Sequence, residues 1–477
     1  MGQTTGSRRQ LRPGTGRTGG RRPGRLMGRD PNILFIVIDA LRYDSLSITG
    51  YRRNGRKTTP NIDELSKHST FYTEAIATGP STNHSQTSLM TGLYPSNMDY
   101  AGAHTELKDK TSTLAEDLKQ EGYSTLGIHT AMLNRDEAFG RGFDEYYEAV
   151  NMPKFKLEKD YITSGVYNLL LGKDSRTRHK NRILRRYIGN EEHHPFFSYI
   201  CYTNTHNPYR ATRKFRKKFE RDVEKDMNEE LIDYISGPGS PNRAIAESGG
   251  LSEDERDVIR SRYDAGLAYL DYRLGRLFSY MKEQGIYDDT MIIVTSDHGE
   301  LFGEDGLFYH ALSTRQELLH VPLIVKEPNQ EEGEVVEEPV SLIDLYPTIL
   351  EKAGIDLEDV EFDGKALTEE AERIPLSEMA SPKKERISDL KERGVENPEK
   401  FDKGKKIAQD RDFKLVKTSK GGKKLIDKAS GEEMENSEAE EKLQEAIEEG
   451  LSGFWSGEES IETEEEIKEE LEKLGYF

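Results

Sequence analysis

Cysteine, tryptophan and long apolar runs are all scarce in this chain. A single cysteine, Cys201, among 477 residues permits no intrachain disulfide, so stability does not rest on an oxidised framework. It sits inside the apolar run Phe196–Tyr202, where a lone thiol reads as packing. No stretch approaches the ~20 apolar residues needed to span a membrane. The twin arginines Arg8-Arg9 and Arg21-Arg22 lead into no apolar segment, so no secretion signal is expected and the chain reads as cytoplasmic. Apolar residues are only 34% of the total and charged residues reach 33%. The length still exceeds what one core usually holds, which predicts a large catalytic domain and a smaller one.

Charge is plentiful but lopsided. The formal net charge is −20. Residues 1–30 hold eight arginines and one aspartate, so residues 31–477 carry 60 basic and 87 acidic side chains, a charge of −27. The Gly- and Arg-rich start is expected to be a disordered basic arm over 1–30, with Met27 as an alternative first residue. The acidic body repels nucleic acid and anionic membrane. It stays soluble where salt screens its self-repulsion, which marks a halophilic composition.

Short continuous apolar runs predict buried strands at Ile33–Ile38, Tyr123–His129, Phe196–Thr203, Met291–Thr295 and Val321–Lys326. Helices are expected from Thr59-Pro60, over Ser81–Thr91 up to Gly92, at Leu114–Gln120, Glu253–Glu283 and Leu342–Ala353. Strands alternating with helices argue an α/β fold with a parallel-rich sheet covered on both faces. Residues 157–250 read as a polar, basic insertion ending in Ser236–Pro241. Beyond Glu372 Lys and Glu dominate, and strands at Phe413–Thr418 and Lys424–Asp427 suggest a small antiparallel unit over 373–477. Ile467, Leu471 and Leu474 predict a terminal helix over Glu464–Leu474.

Two of the strands end on acids. Ile33–Ile38 runs into Asp39, and Met291–Val294 into Thr295-Ser-Asp-His-Gly299. Ligands of α/β sheets gather at the carboxyl ends of strands. Asp39, Asp297 and His298 therefore make a candidate cage for a divalent cation, with Ca, Mg, Mn or Zn the compatible ions.

In their order, several stretches resemble the sulfatase branch of the alkaline phosphatase superfamily. They are Pro31 to Arg42, Thr91 to Pro95, Gly142 to Asp144, Tyr263 to Gly275 with Asp271, Thr295 to Gly299, His320 to Ile324 and Ser341 to Pro347; the ending Leu474 to Tyr476 is similar too. With its acidic body the chain resembles haloarchaeal members. The resemblance implies an alkaline-phosphatase-like large mixed sheet sandwiched by helices over 31–372, with a small C-terminal α+β subdomain. It implies metal binding by Asp39, Asp297 and His298, although the family's second acid after the first strand is Ala40 here. It implies His206 and His310 as catalytic groups at anion-facing positions, and Arg42 and His129 as substrate-binding residues. His84 and Asn134 are weaker candidates, and His320 is structural.

The family's nucleophile pattern, Cys/Ser-x-Pro-x-Arg, falls on Thr82-Asn-His-Ser-Gln86. It lacks the Cys or Ser, the Pro and the Arg, so formylglycine is not expected and an unmodified Thr82 becomes the candidate nucleophile. Its alternative role is capping the helix. The implied function is metal-dependent hydrolysis of sulfate or phosphate esters of a small molecule or glycan. Transfer of a phosphodiester head group to a glycan or lipid, and a non-catalytic anion-binding role, are the alternatives. The charge of −27 also carries a prediction: the melting temperature should rise from low salt toward molar KCl as screening relieves self-repulsion. A steady fall over that range would remove the halophilic reading.

Overall fold

The computed structural model describes residues 30–98, 100–101, 106–107, 111–129, 139–148, 174–220, 231–232, 251–310 and 312–453. The expected arm before Asp30, Asn134, Ser236–Pro241, the helix over Glu464–Leu474 and the ending Leu474 to Tyr476 lie outside them.

Nine strands form the main sheet: β1 (Asn32–Ile38), β2 (Thr70–Ile76), β3 (Ser124–His129), β4 (Glu145–Glu148), β5 (Phe196–Tyr202), β6 (Thr290–Thr295), β7 (His320–Lys326), β8 (Glu334–Val336) and β9 (Val340–Ser341). The order is β8-β2-β7-β6-β1-β5-β3-β4, with β9 also on β2. From β6 through β4 every pairing is parallel, while β7 runs antiparallel to both its neighbours. The sheet is therefore large and mixed, as expected.

The apolar run of β1 is continuous because both of its faces are buried. Leu34, Ile36 and Ile38 join one core, with Leu267, Leu270, Leu274 and Leu277 of the long helix Glu253–Glu283. Ile33, Phe35 and Val37 join the other, with Leu89 and Met90 of Thr82–Thr91, Leu114 and Leu118 of Leu114–Gln120, and Leu345 and Ile349 of Leu345–Lys352. The long helix begins where Ser252 and Glu255 make a capping box. The helix Thr82–Thr91 stops at Gly92, whose φ of 72° suits glycine and whose Cα faces the Tyr346 ring.

A second, antiparallel sheet follows: β10 (Leu376–Met379), β11 (Lys405–Gln409), β12 (Phe413–Thr418) and β13 (Lys423–Asp427). Leu376, Ala408, Leu415 and Leu425 pack on Ala439, Leu443 and Ile447 of the helix Ser437–Gly450. On the other side Ile407 meets Ile76 and Leu319 of the main sheet region. Among the described residues the helix Ser437–Gly450, which the sequence pattern did not single out, docks on this small α+β layer.

The layer is joined to the main sheet by polar contacts. Ser377 Oγ donates to the Ala77 carbonyl at 2.6 Å, and the Glu378 N–H to the Thr78 carbonyl at 2.8 Å. Lys414 is buried and donates its ammonium to the Thr314 carbonyl. Burial, and then the neighbouring Lys405, push its pKa down to about 7. The unfolded chain keeps that proton up to about 10.4. Between those values unfolding takes up a proton, so the stability contribution is present at high pH and lost as pH falls through about 7. Urea unfolding should show the parent protein gaining stability relative to Lys414→Met as pH rises from neutral toward that upper limit. Parallel pH profiles would refute the assignment.

Candidate active site

The sheet register brings the acids together. Val37 of β1 pairs with Thr295 of β6, so Asp39 and Asp297, each two residues further on, leave the same edge of neighbouring strands. The turns beyond them are stapled. Ser296 Oγ lies 2.7 Å from the Ile38 carbonyl and receives the Leu41 N–H at 2.8 Å. Ala40 takes a left-handed φ of 61°, which aims its N–H at Asp297 Oδ1 (3.3 Å) while its carbonyl accepts from Tyr263 Oη (2.9 Å). Gly299 passes so close to the Glu317 carbonyl that a Cβ there would sit 1.9 Å from the oxygen.

Asp39, Asp297 and His298 each offer a ligand atom, all within 4.8 Å of one another, and all three residues are buried. Burial, then the charge of Asp297, push the Asp39 carboxyl well above the usual range. Burial also opposes ionisation of Asp297, but His298, Gln86 and the Ala40 N–H outweigh it and hold that carboxyl below the usual range. Burial pushes the His298 pKa down, favouring the neutral ring, while the Asp297 charge opposes that shift. The His298 Nδ1 lies 2.8 Å from the Gly299 carbonyl, which only accepts, so the proton sits there and Nε2 carries the lone pair. Nε2 is 3.6 Å from Asp39 Oδ1 and 3.9 Å from Asp297 Oδ2. Asp39 Oδ1 is buried with no hydrogen-bond partner. Two buried carboxylates, one of them unsatisfied, facing an imidazole lone pair fit a divalent cation.

Thr82 joins this group from the helix that packs on the Ile33, Phe35 and Val37 face of the sheet. It is the first residue of the helix Thr82–Thr91, and its Oγ1 lies 3.0 Å from His298 Nε2. Ser81, not Thr82, occupies the cap position, and its side chain makes no cap hydrogen bond. The hydroxyl of Thr82 is thus turned to the site, at a helix end that presents N–H groups to an anion.

Two further histidines line up beside it. The ring of His310 is 4.3 Å from that of His298 and 5.1 Å from that of His206. His310 Nδ1 meets Glu300 Oε1 at 3.1 Å, and Glu300 Oε2 accepts from Tyr209 Oη at 3.3 Å. Burial pushes the Glu300 carboxyl up to about 7. His206 Nδ1 lies 2.8 Å from the Asn207 carbonyl.

Arg42 and His129, expected as substrate-binding residues, are both engaged by protein partners. The Arg42 guanidinium is spent on Asp44 (2.6 Å), Glu304 (2.6 Å) and the Glu300 carbonyl (3.0 Å). Burial disfavours its charge, but Asp44 and Glu304 more than restore it. It therefore ties the loops after β1 and β6 together. His129 is fully buried, stacked on Tyr199 with centroids 5.8 Å apart, and its Nε2 meets Gln86 Oε1. His84 is bonded to Ser81 Oγ at 2.8 Å, and His320 to the Thr73 carbonyl at 2.6 Å. Gln86 and Glu300 were overlooked in the sequence. One stands where the family pattern has arginine, and the other directly follows His298-Gly299.

The comparisons agree with this architecture. Residues 31–355 match the sulfatase family model. A sulfatase of Formosa agariphila is 27% identical over 362 residues, 68% of this chain and 69% of that protein. The multifunctional alkaline phosphatase superfamily protein PehA of Trinickia caryophylli is 25% identical over 381 residues, 68% of this chain and 74% of its own. The fold is similar to that of a phosphonate monoester hydrolase of Agrobacterium radiobacter, with a TM-score of 0.65 at 21% identity, covering 84% of this chain and 90% of that one.

Two substitutions test the cage. Elemental analysis should find stoichiometric divalent metal in the parent protein and none in Asp297→Ala. Asp39→Asn removes a buried like-charge contact, so the metal-free variant should melt above the metal-free parent while losing the rise in melting temperature on adding metal. Equal, negligible metal in the parent and in Asp297→Ala, across Ca, Mg, Mn and Zn, would sink the assignment.

Proposed function

This chain belongs to the sulfatase family, and from that membership we propose that it is a metal-dependent hydrolase of sulfate or phosphate esters with Thr82 as its nucleophile. The observation that carries the reading is the convergence of the Thr82 hydroxyl on His298 Nε2, at 3.0 Å, beside the unsatisfied Asp39 Oδ1. A divalent cation held by Asp39, Asp297 and His298 would lower the pKa of a neighbouring hydroxyl and neutralise ester oxygens. The mixed set of carboxylates and imidazole favours Mn or Zn over the all-oxygen preferences of Ca and Mg.

Thr82 Oγ1, its proton released to solvent, displaces the ester's alcohol from sulfur or phosphorus; the departing oxygen takes a proton from His206 or His310, and that ring recovers one from the water that attacks next. Glu300 holds the His310 ring in place through Nδ1. A water then attacks the same sulfur or phosphorus and returns Thr82 as the free hydroxyl. Thr82 has no second hydroxyl on its carbon, so it cannot expel sulfate by collapsing to an aldehyde as a formylglycine hydrate does. The second attack must fall on the central atom, which suits phosphoryl transfer better than sulfate hydrolysis. An assembled hydroxyl, imidazole and carboxylate group weighs against a purely anion-binding role.

Substrate selection is assigned to the segment expected as an insertion. Its described part, 174–220, carries twelve Lys and Arg against four Asp and Glu in a chain of net charge −20. Most of these cations stand on the helices Thr177–Ile188 and Arg213–Phe219, and the second of these starts seven residues after His206. The segment supports an anionic small-molecule or glycan ester as substrate.

The test is turnover of aryl sulfate, aryl phosphate and aryl phosphodiester in high salt with each of the four metals. Thr82→Ala should lose at least ~100-fold in rate, as for removal of a covalent participant. Mass spectrometry of the segment 73–105 should find unmodified Thr82 and no formylglycine. Near-normal turnover by Thr82→Ala removes it as the nucleophile. An aldehyde at Ser81 or Ser85 restores the formylglycine mechanism.

A further inference from the structure

Gln86 is wholly buried one turn after Thr82 on the same helix, so both side chains leave the same face. The direction of its amide follows from its partners. Asp297 Oδ2, 2.6 Å away, can only accept, so Nε2 faces it. Oε1 then faces Tyr199 Oη at 2.7 Å and His129 Nε2, and both must donate. Turning the amide over would set its oxygen against a carboxylate. The other oxygen, Asp297 Oδ1, is held by the N–H groups of Ala40 at 3.3 Å and His298 at 3.0 Å. With donors on both oxygens, the carboxylate has one orientation. Ala40 stands where a second acid would add a ligand, so the cage depends on how Asp39 and Asp297 are aimed.

We propose that Gln86 is a positioning residue for the metal cage, aiming Asp297 Oδ2 toward Asp39 Oδ1 and His298 Nε2, with Tyr199 and His129 holding its amide in that sense. The proposal rests on the metal reading above. It gives a function to three buried polar side chains, Gln86, His129 and Tyr199, that no catalytic step uses. Partners that orient a ligating carboxylate typically contribute 10- to 100-fold in metal affinity.

The experiment is calorimetric titration of the metal-free protein with Mn2+, for the parent, Gln86→Leu and Tyr199→Phe, with circular dichroism confirming that each is folded. Gln86→Leu should bind about 10- to 100-fold more weakly. Tyr199→Phe removes one of two donors to Oε1 and should lose about 3- to 10-fold, which supplies the answer if Gln86→Leu does not fold. A residue serving only packing would lower the melting temperature of the metal-free protein and leave the affinity of the folded fraction unchanged. Parent-like affinity in Gln86→Leu, or in Tyr199→Phe if that is the variant that folds, overturns the positioning role and leaves the hydrolase reading standing. A parent protein that takes up no Mn2+ overturns both.

Discussion

Two buried carboxylates at the ends of adjacent parallel strands set the terms for everything around them. Asp39 and Asp297 are 3% and 0% exposed, and like charges in that position repel strongly unless something offsets them. The protein treats them unequally. Asp297 receives three N–H bonds across its two oxygens and stays ionised, whereas Asp39 keeps an unsatisfied oxygen and is pushed toward the protonated form. Its remote compensation is Lys180, fully buried in the helix Thr177–Ile188, whose ammonium donates to the Cys201 carbonyl at 2.6 Å. The arrangement stores unfavourable electrostatics that a cation would relieve.

The positive charge nearest in sequence is withheld from the site. Arg42, three residues after Asp39, is bound by Asp44 and Glu304. What faces the Thr82 hydroxyl is instead imidazole, from His298, with His310 and His206 behind it. On the proposed reading, such a site would meet an anion with metal charge and hydrogen bonds rather than with a guanidinium fork.

The strands of the parallel core were legible because burial on both faces leaves only apolar residues, as in Ile33–Ile38 and Met291–Val294. The helix Glu253–Glu283 was equally clear from its apolar stripe and cap. Strands with polar side chains were hidden. In β2, Thr73 lies 3.3 Å from the Val336 carbonyl and Glu74 pairs with Lys428 at 2.7 Å, which breaks the apolar pattern. In β10 and β11, Ser377, Glu378 and Lys405 make contacts to the loops of the main sheet, so their polarity serves docking. The helix Ser437–Gly450 keeps only Ala439, Leu443 and Ile447 as a stripe within an acidic stretch, too sparse to stand out.

The site divides along the same line. Asp39, Asp297 and His298 were picked out by the strand ends they follow, and Thr82 by its register with the family's nucleophile pattern; the structure brings these four side chains together. Which side chains serve them was not legible in the chain. The Arg42 guanidinium finds Glu304 262 residues away. His129 meets Tyr199 from the sheet and Gln86 from the helix Thr82–Thr91, neither near it in sequence. Local sequence sets where the chain turns from strand to loop, since burial and backbone geometry act over a few residues. The partner of a hydrogen-bonding side chain is settled only when distant segments pack, because a donor has no preference between acceptors until tertiary structure leaves one within reach.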